Sequence, residues 1–234
     1  MLKQYPFIFY NHSLNNLLYI MKILFRLSTL VLLLSLLQGC SPTVYTAPNF
    51  NTVKRSHKIV ALLPFDVTIT MKKLPKDVTM EQIKTDEEKT AYTAQGHAYT
   101  YLLKEMGKDK YTVDFQDVDK TNALLKQNSL SYEAMKSKTK DEIAKILGVD
   151  AVMSGKIIME KPMNEGAAIV VGLLLGVWGN TNNITTAMTV HDGKDGKLLW
   201  KYDWEASGSV GSSTESLTKQ LMRNVSKNFP YKKD

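Results

Sequence analysis

Residues 139–158 read Thr139-Lys140-Asp141-Glu142-Ile143-Ala144-Lys145-Ile146-Leu147-Gly148-Val149-Asp150-Ala151-Val152-Met153-Ser154-Gly155-Lys156-Ile157-Ile158, a complete helix-then-strand unit. A threonine followed three positions later by a glutamate is the capping-box spacing, in which each residue satisfies a free backbone N–H at the start of a helix. Ile143, Ile146 and Leu147 then recur at helical intervals, and Gly148 supplies the residue type on which helices stop. Apolar and β-branched residues crowd positions 149–158, which predicts a strand.

Upstream, Ile59-Val60-Ala61-Leu62-Leu63 is an unbroken apolar run ended by Pro64, as expected of a strand buried on both faces. Thr79-Met80-Glu81-Gln82 repeats the capping-box spacing. Ala91, Ala94, Ala98, Leu102 and Met106 fall on one stripe of a helix over 90–106, and small residues there predict close packing on a sheet. Residues 111–115 alternate as a short strand, and 119–127 read as a helix with Ala123 and Leu124 inward. Downstream, strands over 184–190 and 198–204 flank Asp192-Gly193-Lys194-Asp195-Gly196, a hairpin with strong turn chemistry. Ser212-Ser213-Thr214-Glu215 caps a last helix carrying Leu217, Leu221, Met222, Val225 and Phe229, and Pro230 closes it. Strands alternate with helices early and pair as a hairpin late. The fold class is α/β, with α+β as the alternative: one layered domain over 58–234, a mixed sheet with flanking helices.

The chain's one cysteine, Cys40, ends Leu37-Gln38-Gly39-Cys40, directly after an apolar run. Lys22 and Arg26 form a positive leader, residues 27–37 the hydrophobic region and Gln38-Gly39 the small-residue cleavage site of a secretory signal. Leucine three positions before cysteine, with glycine between, resembles the bacterial lipobox. That resemblance implies a thioether lipid on Cys40, cleavage just before it and acylation (palmitate or a similar chain) of the new amino terminus. Two or more chains anchor a protein stably, whereas one holds marginally, at roughly 0.8 kcal/mol per buried methylene. Met21-Lys22 begins a full signal by itself, so residues 1–20 are expected to be a start-site artefact and 21–39 the signal peptide. Residues 40–57 read as an acylated cysteine and a tether. Ser41 after the cysteine resembles outer-membrane sorting, and no acidic cluster stands between Cys40 and Lys54, which favours the periplasmic side.

The 234-residue chain has a formal charge of +7, and three of its cations with no acid precede Cys40, which leaves +4 for the mature part. So small an excess is no nucleic-acid footprint. With a single cysteine, disulfides and thiolate metal sites are excluded. His57, His97 and His191 find no catalytic companions in the sequence. The neighbours His191 and Asp192 point to opposite sides of a strand, which is wrong for a base and its orienter. Asp192 and Asp195 suit the turn rather than calcium, since Lys194 stands where a ligand oxygen is needed. No catalytic residue, no metal ligand, no cofactor beyond the covalent lipid and no small-molecule substrate are therefore expected.

Residues 166–179 run Gly-Ala-Ala-Ile-Val-Val-Gly-Leu-Leu-Leu-Gly-Val-Trp-Gly without a charge. They are too few for a spanning helix, which needs roughly 20 residues, and lack the alternation of a transmembrane strand. Three readings stand: a buried element, an exposed element that docks on a partner or second copy, or one that enters the membrane. The contact residues would be Ile169, Val170, Val171, Leu173, Leu174, Leu175, Val177 and Trp178.

The run Leu147-Gly148-Val149-Asp150-Ala151-Val152-Met153-Ser154-Gly155-Lys156-Ile157, with the lipobox, the strand before Pro64, the alanine-rich helix and Gly196-Lys197-Leu198-Leu199-Trp200, resembles a group of envelope lipoproteins. The group includes the curli secretion channel CsgG, the penicillin-binding-protein activator LpoB and a neisserial surface lipoprotein family. Its shared fold is similar to the amino-terminal domain of TolB. The resemblance implies no active site and action by assembly. The expected function is that of a lipid-anchored, non-enzymatic protein of the outer membrane that recruits or supports an envelope assembly, with envelope proteins or a second copy as partners. An oligomeric secretion-channel component is the alternative reading, and a hydrolase a third.

Overall fold

The helix-then-strand unit at the centre of the sequence is also the centre of the fold. A computed structural model of the chain describes residues 19, 21–26, 42–71, 74, 78–161, 183–207 and 213–233. Within residues 1–41 the described positions are helical. The rest forms one α/β unit from Pro42 to Asp234. Its elements are β1 (Thr43–Thr46), α1 (Phe50–Val53), β2 (Ile59–Leu62), β3 (Asp66–Met71), α2 (Met80–Met106), β4 (Asp114–Phe115) and α3 (Val118–Gln127). They continue with α4 (Tyr132–Lys136), α5 (Lys140–Leu147), β5 (Ala151–Lys161), β6 (Asn183–Asp192), β7 (Leu198–Ser207) and α6 (Thr214–Val225).

Glu142 accepts from the backbone N–H and hydroxyl of Thr139 at the start of α5, both at 3.0 Å. The helix ends on Gly148 at φ 64°, the left-handed residue that frees the chain to enter β5. β5 is the spine of a seven-stranded mixed sheet of order β1-β7-β6-β5-β2-β4, with β3 also paired to β5. β2, β3 and β4 run parallel to their neighbours, while β6, β7 and β1 form an antiparallel meander.

β2 and β3 lie end to end along β5. Val60–Leu62 oppose Ala151–Met153 and Asp66–Met71 oppose Lys156–Lys161, so Leu63, Pro64 and Phe65 face only Ser154 and Gly155. This is a β-bulge, and a proline without an N–H fits the interrupted ladder there. The ring of Phe65 occupies the space where a Cβ on Gly155 would stand, 2.3 Å away. Gln95 of α2 donates to the Leu62 carbonyl at 2.8 Å, next to the break.

The capping box at Thr79 starts α2 ten residues earlier than the apolar stripe alone suggests. Ala91, Ala94, Ala98 and Leu102 are fully buried, as the spacing predicts. α2 and α6 pack together, and their buried stripes join Met153, Met188 and Trp200 in one core. In α3 the inward residues are Thr121 and Leu125, four positions apart on one face; Ala123 is exposed and Leu124 half-buried. β4 covers only Asp114–Phe115, and Tyr111 instead bridges to Lys232.

The main correction concerns residues 40–57. From Thr43 onward they are part of the domain rather than a tether. β1 pairs with β7 from Thr43↔Asp203 to Thr46↔Trp200. Ala47 donates to Leu199 O at 2.8 Å, Phe50 is 2% exposed, and His57 is 4% exposed. The stretch has no apolar period because its strand is exposed on both sides and held by backbone bonds at an edge.

Candidate functional site

Cys40 and the proposed contact residues Ile169, Val170, Val171, Leu173, Leu174, Leu175, Val177 and Trp178 lie outside the described residues. Their flanks are described. Met71, Lys161, Asn183 and Ser207 stand at one end of the sheet by register. β1 runs antiparallel to β7 with Thr43 opposite Asp203, so the chain comes into β1 from that same end. No helix among the described residues is long and apolar enough to cross a membrane.

β1 is the sheet's edge. Ala47 bonds Leu199, so by the alternation of an antiparallel ladder Tyr45 and Thr43 face β7 while Val44 and Thr46 turn their N–H and C=O groups outward. Val44 is 41% exposed and Tyr45 46%. The free edge of β3 is instead closed by side chains. Tyr132 Oη accepts from Val67 N at 2.9 Å, and Glu87 accepts from Ile69 N at 2.8 Å. Burial pushes the Glu87 carboxyl above its ordinary range, against the opposing pull of the Ile69 bond.

The two faces of the sheet differ. Along β6, Ile184, Thr186, Met188 and Val190 are buried while Thr185, Ala187, Thr189 and His191 are half-exposed, so the second set marks a partly open face. α4 and α5 stand along it and leave a cleft. Its inner pocket, about 110 Å³, lies beside the bulge between Phe65, Tyr132 and Lys136. A groove of about 400 Å³ continues past Lys156 and Ala187 to Lys201 and Asp203. Asp66, Lys140, Ser154 and Gly155 line both.

The cleft is rich in charge. Asp66 is shared by Lys136 at 3.7 Å and Lys156 at 3.8 Å, and Lys201 pairs Asp203 at 2.8 Å. Burial lowers the Lys140 pKa, with Asp66 pulling the other way. Burial and the Lys140 charge depress His191 to about 4, so its ring is neutral. Ser154 Oγ and His191 Nδ1 are both withdrawn from solvent without a hydrogen-bond partner, so they form no Ser–His pair of the kind a nucleophile needs. The arrangement holds and orients charge; it offers no activated nucleophile.

His191 and Asp192 diverge as expected. The Asp192 carboxylate lies 3.6 Å from His57 Nε2 and accepts from Lys194 N at 3.0 Å. Asp195 caps Lys197 N at 3.1 Å, and Gly196 sits at φ 71°, so both aspartates serve the turn. No group of three potential metal-binding side chains occurs among the described residues. Sequence reading missed Lys140, Ser154 and the His57 contacts. Lys140 lies in the polar first turn of its helix and carries no sequence signal, and Ser154 is a small polar residue in a mainly apolar strand.

No protein-family model matches the sequence, and neither does any curated sequence. Solved structures similar to this chain include lipoprotein GNA1162 from Neisseria meningitidis, at 13% identity and a TM-score of 0.40, covering 73% of this chain and 94% of that one. The PelC dodecamer from Paraburkholderia phytofirmans is similar at 14% identity and a TM-score of 0.38, covering 83% and 98%. The LpoB C-terminal domain from Salmonella enterica is similar at 11% identity and a TM-score of 0.32, covering 68% and 93%.

Proposed function

We propose that this chain is a lipid-anchored, non-enzymatic protein of the bacterial outer membrane, acylated on Cys40 and facing the periplasm, whose domain recruits or supports an envelope protein assembly. The observation that carries the reading is the common end of the sheet. The chain enters β1 from the end at which β5 stops and β6 starts, the two strands that bracket the uncharged stretch 166–179. Only Ser41 and Pro42 separate Cys40 from Thr43, a reach of at most about 11 Å of extended chain. With no longer tether to span the periplasm, an acylated Cys40 would hold the domain at the membrane. Ile169, Val170, Val171, Leu173, Leu174, Leu175, Val177 and Trp178 would then meet a partner, a second copy or the lipid itself.

Crosslinking in intact membranes followed by mass spectrometry tests this reading. Native chain is expected in the membrane fraction with crosslinks to a defined envelope partner, and Cys40→Ala in the soluble fraction without them. A Cys40→Ala chain that stays membrane-bound, or a well-folded Leu174→Lys chain that keeps every crosslink, would overturn it.

The free edge of β1 favours a second reading, an oligomeric component of a secretion channel, since outward-facing backbone groups at an edge accept a further strand. Crosslinking that returns only monomers would remove it.

A further inference from the structure

We propose that the open edge of β1 pairs with the β1 edge of a second copy of this chain, antiparallel and centred on Tyr45, joining two sheets across a two-fold axis. This deepens the assembly reading by naming a partner, and it rests on that reading for the lipid anchor that holds two copies in one membrane.

β1 is the edge left open among the described residues. β3 is closed by the side chains of Tyr132 and Glu87, and β4 is only two residues long. The outward backbone groups of Val44 and Thr46 have no hydrogen-bond partner among the described residues, and every side chain of the strand is exposed. Edge strands are usually guarded against pairing by a lysine, a bulge or a covering loop. Thr43–Thr46 carries no charge, and its register on β7 runs without a bulge.

The occupant and its register follow from the strand's own symmetry. Pro42-Thr43-Val44-Tyr45-Thr46-Ala47-Pro48 reads nearly alike in both directions from Tyr45: valine or threonine first, then threonine or alanine, then proline. Hydrogen-bonded pairs in an antiparallel ladder join outward residues to outward residues. Centred on Tyr45, Val44 of one copy meets Thr46 of the other, and each exchanges both of its backbone bonds. Sliding the register either way would set Thr46 against Pro42 or Val44 against Pro48, and a proline has no N–H to give. Because the same patch meets itself, the contact uses the open edge of both copies and closes at two. Strands this short bury less than the roughly 1,000 Å² expected of a stable interface in solution. An acylated Cys40, with only Ser41 and Pro42 between it and β1, supplies the effective concentration that so small a contact needs. The two cysteines stand at equal distances from the two-fold axis, so one membrane takes both.

The test is disulfide trapping of the full chain in its membranes. With Cys40 held as a thioether, a cysteine placed in β1 is the one free thiol of the chain. Tyr45→Cys sits at the centre, a non-hydrogen-bonded pair whose Cα atoms would stand about 4.5 Å apart, within the span of about 4.4–6.8 Å that a disulfide bridges. Thr43→Cys, also exposed and on the same face of the strand, would stand about 14 Å from its counterpart. On mild oxidation Tyr45→Cys is expected to give at least fivefold more linked dimer than Thr43→Cys. Val44→Pro removes an N–H that points away from β7, so added to Tyr45→Cys it should abolish the dimer with the melting curve of the chain unchanged. Equal trapping at positions 43 and 45, or a Tyr45→Cys dimer that survives Val44→Pro, would overturn the pairing. A disulfide from Tyr45→Cys to a different protein would overturn the second copy as occupant. Fractionation of the same samples reads the anchor separately. A Tyr45→Cys chain that stays in the membrane without dimers overturns the edge pairing alone, whereas a chain found in the soluble fraction overturns the anchored reading on which the pairing rests.

Discussion

His57 Nδ1 and the Tyr231 hydroxyl, 174 positions apart in the chain, share a buried hydrogen bond of 2.6 Å. The other nitrogen of the same ring lies 3.6 Å from the Asp192 carboxylate. The segment before β2, the hairpin turn and the C-terminal segment are therefore tied at one point. Phe50 and Phe229 both pack edge-on to Tyr231, at 5.5 Å and 5.8 Å, which seals that point from water.

Tyr231→Phe keeps these ring contacts and removes the hydroxyl. It leaves a buried His57 nitrogen unpaired, and the expected loss is about 1–3 kcal/mol. Urea unfolding followed by tryptophan fluorescence reads it. A midpoint equal to that of the native chain would mean that water replaces the hydroxyl.

Phe50→Ala distinguishes a packed segment from a tether. Truncating a buried phenylalanine costs about 3–5 kcal/mol, whereas a change in a solvated linker stays within about 0.5 kcal/mol. Asn51→Ala, at an exposed position of the same helix, is the control. Both variants melting together with the native chain would return residues 43–57 to the status of a tether.

Gly155→Ala and Gly148→Ala test two different reasons for glycine. At 155 the new methyl would meet the Phe65 ring at 2.3 Å, and overpacking of this kind costs about 1–3 kcal/mol. At 148 no atom stands within 4 Å and the cost is conformational, about 1–2 kcal/mol for an L-residue at φ 64°. Phe65→Leu should recover part of the first loss and none of the second, a coupling that a double-mutant cycle measures.

Stability should fall on both sides of neutral pH. His191 binds its proton near 6.5 when unfolded and at about 4 when folded. Between those values the unfolded chain takes up the proton first, so stability present above 6.5 is lost as pH falls toward 4. His191→Gln should flatten that acid limb in a series of urea midpoints.

At the alkaline end, burial raises Tyr111 and Tyr231 above their ordinary value of 10, with Glu105 adding to the first and Asp192 to the second. The unfolded chain releases these protons first, so stability present below pH 10 declines as pH rises past it. Ultraviolet titration should show these two phenols ionising only together with unfolding. Their ionisation in a chain that keeps its fold would contradict the burial.

Much of the domain was legible because its signals are local. Thr79 with Gln82 and Thr139 with Glu142 announce helix starts, Gly148 a stop, and Asp192 to Gly196 a turn, each through chemistry contained in a few consecutive residues. The stripe Ala91, Ala94, Ala98 and Leu102 works the same way, since one helix face repeats every three or four positions. Ala123 faces outward because the inward stripe of α3 is short and half of it is polar, Thr121 with Leu125, which an apolar pattern does not register.

The sequence by itself determined the α/β class, the helices and hairpin, and the placement of Cys40 after its apolar run, because each depends on residues adjacent in the chain. Only the tertiary structure decided that Thr43–Thr46 is a strand, that His57 meets Tyr231, and that Lys140 and Ser154 line one cleft. Those relationships depend on sheet register. An edge strand exposed on both sides carries no apolar period, and a polar residue inside an apolar run discloses its neighbours only after distant strands have paired.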